Sequence, residues 1–238
     1  MNILITGGAS GLGAAITKTL AKDSANKVYF TYANSIDKAE SITTEFKNTE
    51  ALRCNFNDIS SVNTLCENIP NLNIDILINN ALTGHELKHF HKINTEVFKQ
   101  SFQTNIMSTI SISQAALKHF KKKKDGRIIT LLTSYLINKP PVGLSEYVAN
   151  KSYLQSLVKS WAVEFGKFGI SSNAISPSFM FTGLTEDTDE RVIDQMIQSH
   201  PLKKLLTTEE VAHTVQFLCN ATKHINGHNL VINGGENL

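Results

Sequence analysis

The chain has little of what ties a protein to disulfides, membranes or polyanions. Its three cysteines, Cys54, Cys66 and Cys219, are odd in number and far apart, which suits neither a disulfide framework nor a zinc site. No apolar run reaches membrane-spanning length, and no signal-like segment precedes the first apolar stretch, so the expected setting is a reducing cytoplasm. A formal charge of +2 is too even for a nucleic-acid or membrane-surface partner. The one basic run, four lysines at 121–124, closes a helical pattern, where lysines complement the negative end of the helix dipole. His85, His89 and His91 lack a carboxylate or cysteine that would complete a metal set, and no metal is expected. Repeats, linkers and low-complexity segments are also missing, so a single domain over 1–238 is expected.

Hydrophobic residues make up 41% of the chain, enough for a large core. Short apolar runs at 3–6, 28–31, 51–54, 74–78, 127–132, 171–175 and 229–232 alternate with segments of helical spacing. Asp58 is a candidate cap for a helix ending before Pro70, and Asn94 for a long helix in which Phe98, Phe102, Ile106 and Ile110 recur at four-residue spacing. Thr207 with Glu210 forms a capping box. Nearly continuous apolar strands separated by helices predict an α/β fold, a doubly wound Rossmann-type parallel sheet of seven strands flanked by helices. Ligands of such sheets bind beyond the carboxyl ends of the strands.

After the first strand stands Thr6-Gly7-Gly8-Ala9-Ser10-Gly11-Leu12-Gly13, then a helical segment. Glycines there allow a sharp turn and let a pyrophosphate approach bare N–H groups at a helix N-terminus. Gly7, Ser10, Gly11, Leu12 and Gly13 are therefore candidate cofactor contacts. Further on, Tyr147 and Lys151 are four residues apart, on one face of a helix. A free tyrosine titrates near ~10. A neighbouring ammonium favours the phenolate and is expected to lower that value, making the phenol a usable general acid/base.

With both features present, the sequence resembles the short-chain dehydrogenase/reductase family over essentially its whole length. Residues 6–13 match the family's T-G-x-x-x-G-x-G, and Tyr147 with Lys151 its Y-x-x-x-K. Asn79-Asn80-Ala81 looks like N-N-A-G, Ser176-Pro177-Ser178 with Thr182 like P-G-x-x-x-T, and 227–235 like the closing T-G-x-x-x-x-V-D-G-G. The resemblance implies a hydride transfer between a nicotinamide dinucleotide and a ketone or secondary alcohol. By it, Tyr147 is the general acid/base, Lys151 lowers its pKa and bonds the nicotinamide ribose, and Asn105 holds a water in a relay to Lys151. It also implies that Asn55 and Phe56 lie at the adenine, that Asn79 and Ala81 brace the cofactor site, and that Pro177 and Thr182 lie at the nicotinamide.

The substrate-binding hydroxyl has two candidates. Counting forward from Gly126 points to Thr133, and counting back from Tyr147 points to Ser134. Ser134 is chosen here, because the substrate oxygen must meet the tyrosine, and Thr133 is expected to be structural. Three departures from the family stand out: Leu82 and Ser178 where it has glycine, and Asn55 where many members have aspartate. The stretch Thr31-Tyr32-Ala33-Asn34-Ser35 carries no carboxylate to repel a 2′-phosphate, and Asn34 and Ser35 can hydrogen-bond one. It also lacks an arginine, so NADP(H) is favoured with NAD(H) still open. Segment 179–200, with Leu184, Met196 and Ile197, reads either as an apolar lid over the substrate or as packing on the body or a neighbouring subunit. The expected partner is a small carbonyl or alcohol, an acyl thioester among the candidates, and family resemblance suggests a homodimer or homotetramer. The competing readings are a sugar-nucleotide-modifying relative, for which no residues remain to build a substrate domain, and an inactive nucleotide-binding regulator, which would be expected to have lost Tyr147 or Lys151.

Overall fold

The computed structural model describes residues 1–84, 87–137, 139–183 and 188–236. Its strands are β1 (Asn2–Ile5), β2 (Lys27–Tyr32), β3 (Thr49–Arg53), β4 (Ile76–Asn79), β5 (Gly126–Leu131), β6 (Ile170–Pro177) and β7 (Asn229–Ile232). Its α-helices are α1 (Gly11–Ala21), α2 (Ile36–Glu45), α3 (Ile59–Leu72), α4 (Thr95–Ser101), α5 (Ser108–Lys123), α6 (Ser145–Phe165), α7 (Glu190–Ser199) and α8 (Thr208–Asn220). The strands form one parallel sheet in the order β3-β2-β1-β4-β5-β6-β7.

Burial on both faces explains the continuous apolar strands. Ile3 and Ile5 of β1 pack with Ile16 and Leu20 of α1 and Val211 and Val215 of α8. Leu4 between them turns to the other face, where Leu65 and Ile69 of α3, Ile112 and Phe120 of α5 and Val158 of α6 pack. From β1 the chain winds first toward β2 and β3, then returns to place β4 on the other side of β1. This reversal opens a crevice beyond the ends of β1 and β4.

Two helices depart from the sequence expectation. α3 is capped by Asp58, whose side chain accepts from the Ser60 N–H, but it runs through Pro70. A proline in the last turn removes only one bond of the ladder, and the stop comes at Asn73, which turns left-handed with φ 48°. The long helix capped by Asn94 is not uniform. Residues Phe102–Met107 form a π-helical turn between α4 and α5, with Thr104, Asn105 and Ile106 buried. Such widened turns arise where a helix must present a side chain that α-helical spacing would misplace. The capping box of Thr207 and Glu210 and the lysines in the last turn of α5 stand as expected, with Lys123 paired to Asp75.

Candidate active site

The glycine turn is braced from behind and bare in front. Gly7 and Gly11 adopt φ of +66° and +50°, which strongly favour glycine. Gly7 N–H donates to Thr31 Oγ1 at 2.9 Å, and Thr17 Oγ1 donates to the Gly8 and Gly13 carbonyls, both at 2.9 Å. Asn80 Nδ2 donates to the carbonyls of Thr6 and Gly7 at 3.0 and 3.1 Å, and Thr6 Oγ1 accepts from the N–H groups of Asn80 and Ala81. A Cβ on Gly13 would lie 2.0 Å from the Gly7 oxygen, whereas one on Gly11 would meet only Thr182, at 3.7 Å. At the start of α1, Ser10 makes no capping bond and no acid occupies the first turn, so the positive helix end stays available. This cradle fits a pyrophosphate.

From the cradle a cleft of about 880 Å³ runs to Tyr147, within the range of small-molecule sites. Of the residues singled out in the sequence, Gly7, Ser10, Gly11, Leu12, Gly13, Asn34, Phe56, Ala81, Tyr147, Lys151, Pro177 and Thr182 line it. Asn55 and Asn79 do not. Asn55 Oδ1 accepts from the Asn57 N–H and closes its own turn. Asn79 is buried with Nδ2 on Ser113 Oγ at 2.9 Å, so it ties β4 to α5, and its neighbour Asn80 does the bracing. Strand alternation puts consecutive asparagines on opposite sides, which the motif alone does not apportion. Cys54, Tyr32 and Lys38 line the cleft as well, although none of them is a candidate contact by motif. Lys38 had a signal: it is a base in the first turn of the helix after β2, four residues beyond Asn34.

At the other end, α6 carries Tyr147 and Lys151. Lys151 Nζ donates to the Leu131 carbonyl at 2.7 Å and lies 5.8 Å from the centre of the Tyr147 ring. Burial dominates both side chains. It pushes the Tyr147 phenol up to about 12, against a lowering from its hydrogen bond with Thr133, and it brings Lys151 down to about 8. The expected depression of Tyr147 by Lys151 is thus not what this arrangement produces. The phenol is held protonated, and the ammonium is held weakly.

The hydroxyl beside Tyr147 is that of Thr133, not Ser134. Thr133 is extended, with φ −157° and ψ 146°, caps a short 3₁₀ turn (Ser134–Leu136), lines the cleft and hydrogen-bonds Tyr147. Ser134 opens that turn, is 1% exposed and lines a separate, smaller cavity. The count from β5 therefore keeps register, and the count from Tyr147 does not.

Asn105 sits in the π-helical turn. Its Oδ1 accepts from the Thr83 N–H at 2.8 Å and from Thr83 Oγ1 at 3.1 Å, while its Nδ2 donates to the Thr83 carbonyl and Ser101 Oγ. It therefore clips the loop after β4 to the helix. Lys151 is bonded elsewhere. Ser101 also donates to the buried Glu146 carboxylate, which accepts from Asn150 Nδ2, so α4 and α6 are joined just before Tyr147. Thr188, Val192 and Met196 of the segment carrying α7 line the cleft together with Phe179 and Met180. Leu184 and His85 lie outside the described residues. Among the described residues no cluster of His, Cys, Asp or Glu could hold a metal, and no helix is long and apolar enough to cross a membrane.

Comparison with known proteins follows the same line. A family model described as "Enoyl-(Acyl carrier protein) reductase" matches residues 7–237. The 3-oxoacyl-[acyl-carrier-protein] reductase FabG of Staphylococcus epidermidis is 30% identical over 240 residues, covering 98% of this chain and 97% of its own. A crystal structure of a 3-ketoacyl-(acyl-carrier-protein) reductase from Brucella melitensis complexed with NADH superposes with a TM-score of 0.90 at 24% identity, covering 99% of this chain and 98% of its own. A short chain dehydrogenase from Burkholderia cenocepacia in complex with NADP gives a TM-score of 0.86 at 26% identity, covering 98% and 96%.

Proposed function

The chain belongs to the short-chain dehydrogenase/reductase family of oxidoreductases, and on that premise we propose that it reduces a ketone to a secondary alcohol with a nicotinamide dinucleotide, Tyr147 giving the proton. The observation that carries this is the juxtaposition of Tyr147, Thr133 and Lys151 at the far end of a cleft that begins in a bare glycine cradle.

The cradle of Gly7, Gly11 and Gly13 would hold the pyrophosphate of the dinucleotide, and Tyr147, Lys151, Pro177 and Thr182, which line the same cleft, would hold its nicotinamide half. When bound, the reduced dinucleotide supplies a hydride to the carbonyl carbon. Negative charge then grows on the carbonyl oxygen, and a donor placed there lowers the barrier. Tyr147 donates the proton that completes the alcohol. Held near 12, its phenol keeps that proton at neutral pH until the alkoxide takes it. Thr133, already bonded to the phenol, offers a second hydrogen bond to the same oxygen and takes the role that counting back from Tyr147 gave to Ser134. Lys151, cationic below about pH 8, offsets the charge Tyr147 acquires. Asn105 acts through Thr83, keeping the loop after β4 against the cleft.

NADP(H) is the preferred cofactor in this reading. Asn34, Ser35 and exposed Lys38 stand at the end of the cleft beyond β2, and no carboxylate lines the cleft there among the described residues. A lysine is a serviceable phosphate partner. The apolar wall of Phe179, Met180, Val192 and Met196 suits an acyl chain, so a 3-oxoacyl thioester is the substrate class, with α7 as the covering element. FabG, the named relative, is a reductase of that class. The test is Tyr147→Phe. Turnover of a 3-oxoacyl thioester is expected to fall by roughly 10²–10⁴-fold, while dinucleotide affinity, set by the glycine cradle, stays within several-fold. Full activity in that variant would end the proposal.

A further inference from the structure

Four polar side chains meet where α4, the π-helical turn and α6 come together. The hub is Ser101, the last residue of α4. Its hydroxyl donates to Glu146 Oε1, and its oxygen accepts from Asn105 Nδ2 at 3.1 Å and from Asn150 Nδ2 at 2.9 Å. A serine hydroxyl has one donor and two lone pairs, so the hub is saturated. Asn150 Nδ2 also donates to the same Glu146 oxygen. Asn105 Nδ2 donates to the Thr83 carbonyl at 3.2 Å, while its Oδ1 accepts from the Thr83 N–H and hydroxyl. Asn105, Glu146 and Asn150 are buried, and among the described residues no lysine or arginine pairs with the Glu146 carboxylate.

We propose that Ser101 is a positioning residue, and that the chain of bonds from Glu146 through Ser101 to Asn105 sets the gap between the catalytic face of α6 and the loop after β4. This rests on the reading of the main cleft given above and adds to it residues that act through Tyr147 and Thr83 rather than on the substrate. Placement is the first reason. Glu146 and Asn150 directly precede Tyr147 and Lys151, so each bond from α6 to the hub lies one residue from the pair that moves the proton. At the other end, residues 80–83 line the cleft and are held twice, by Asn80 at the glycine turn and by Asn105 at Thr83. Direction is the second reason. An ionised carboxylate only accepts, so Ser101 turns its single proton to Glu146 and has none for Asn105. Asn105 then meets Ser101 only through Nδ2, which leaves Oδ1 for the Thr83 N–H. Stability alone does not call for such a junction. A buried carboxylate without a cation costs free energy that apolar side chains joining the same helices would not. Transfer of a hydride and a proton does call for it, since a misplacement of ~1 Å can cost about 10²-fold in rate.

The test measures kcat and KM with NADPH and a 3-oxoacyl thioester, and dinucleotide affinity by fluorescence titration. Ser101→Ala is expected to lower kcat by roughly ten- to a hundred-fold, with dinucleotide affinity within several-fold because the glycine cradle is untouched. In Glu146→Gln the amide Oε1 can accept the same two bonds, so kcat is expected to stay within about three-fold of native. The triple variant Ser101→Ala/Glu146→Met/Asn150→Leu joins the helices by apolar contact and leaves Asn105 Nδ2 its bond to the Thr83 carbonyl. It is expected to melt near the native temperature with kcat as low as that of Ser101→Ala, and it carries the test if Ser101→Ala does not fold. A kcat within about three-fold of native in Ser101→Ala or in the triple variant would overturn the positioning role. So would a loss in Glu146→Gln as large as that in Ser101→Ala, or a triple variant that does not fold, since the junction would then be structural. Absence of turnover by the native protein would overturn the reading of the main cleft, and this inference with it.

Discussion

At the phosphate end of the cleft the wall is backbone, held from behind: the Gly8 and Gly13 carbonyls accept from Thr17, the Thr6 and Gly7 carbonyls accept from Asn80, and the Gly7 N–H donates to Thr31. At the carbonyl end the groups are side chains: Tyr147, Thr133 and Lys151. The first end owes its shape to the absence of side chains, and the second to the direction in which side chains leave a strand end and a 3₁₀ turn. A motif of glycines therefore carries over directly to geometry. A motif of hydroxyls does not, because the step from extended strand end to 3₁₀ turn between Thr133 and Ser134 decides which hydroxyl faces the tyrosine.

The sharpest way to break this contrast is at the hydroxyls. Thr133→Val, which keeps the shape and removes the hydroxyl, is expected to lower kcat by roughly 10²–10³-fold, while Ser134→Ala leaves kcat for a plain 3-oxo ester within a few-fold. Steady-state kinetics giving the opposite ranking would return the role to Ser134. Next comes the phosphate end. Gly13→Ala sets a methyl 2.0 Å from the Gly7 oxygen, against backbone that Asn80 holds. Overpacking of this kind costs about 1–3 kcal/mol. Dinucleotide affinity, read by fluorescence titration, is expected to drop by roughly ten- to a hundred-fold.

The pH response separates the charge on Lys151 from its fit. In the folded chain burial lowers Lys151 from 10.5 to about 8. As pH rises through 8, the cation that balances Tyr147 is lost and kcat/KM for reduction falls. Stability moves the other way. Between about pH 8 and 10.5 the unfolded chain holds the proton that the folded chain has released, so the contribution of Lys151 to stability rises with pH over that window and is lost as pH falls back through 8. Rate profiles and thermal melts run over the same buffers check both directions, and a reduction rate flat through pH 8 would show that Lys151 keeps its charge. The smallest effect is expected at the rim. Lys38→Glu replaces an exposed cation beyond β2, and the NADPH-over-NADH ratio of kcat/KM is expected to fall by roughly ten-fold, in line with the modest worth of solvent-exposed charges. An unchanged ratio would move cofactor choice to Asn34 and Ser35.

The doubly wound sheet, the glycine cradle and the pairing of Tyr147 with Lys151 were legible along the chain, because each depends on spacing within one element. Short continuous apolar runs, buried on both faces, mark the strands, glycines mark the turn, and a separation of four marks one face of α6. Asp58, Asn94 and Thr207 were legible as caps for the same reason, since a cap bonds to backbone two or three residues on. What only the tertiary structure decided depends on how separate elements meet. Asn79 points to Ser113 of α5 while Asn80 braces the glycine turn, a choice made by which face of β4 the helix covers. The π-helical turn at Phe102–Met107 brings Asn105 to Thr83, where uniform helical spacing was expected. The phenol of Tyr147 is held up by burial, which no count of residues between it and Lys151 contains. Thr133 stands in place of Ser134 because Thr133 is the last extended residue after β5, while Ser134 already belongs to the 3₁₀ turn and lines the other cavity. Local spacing sets what each element is. The packing of strand ends, turns and helices against one another sets which side chain of each pair reaches the reacting atoms.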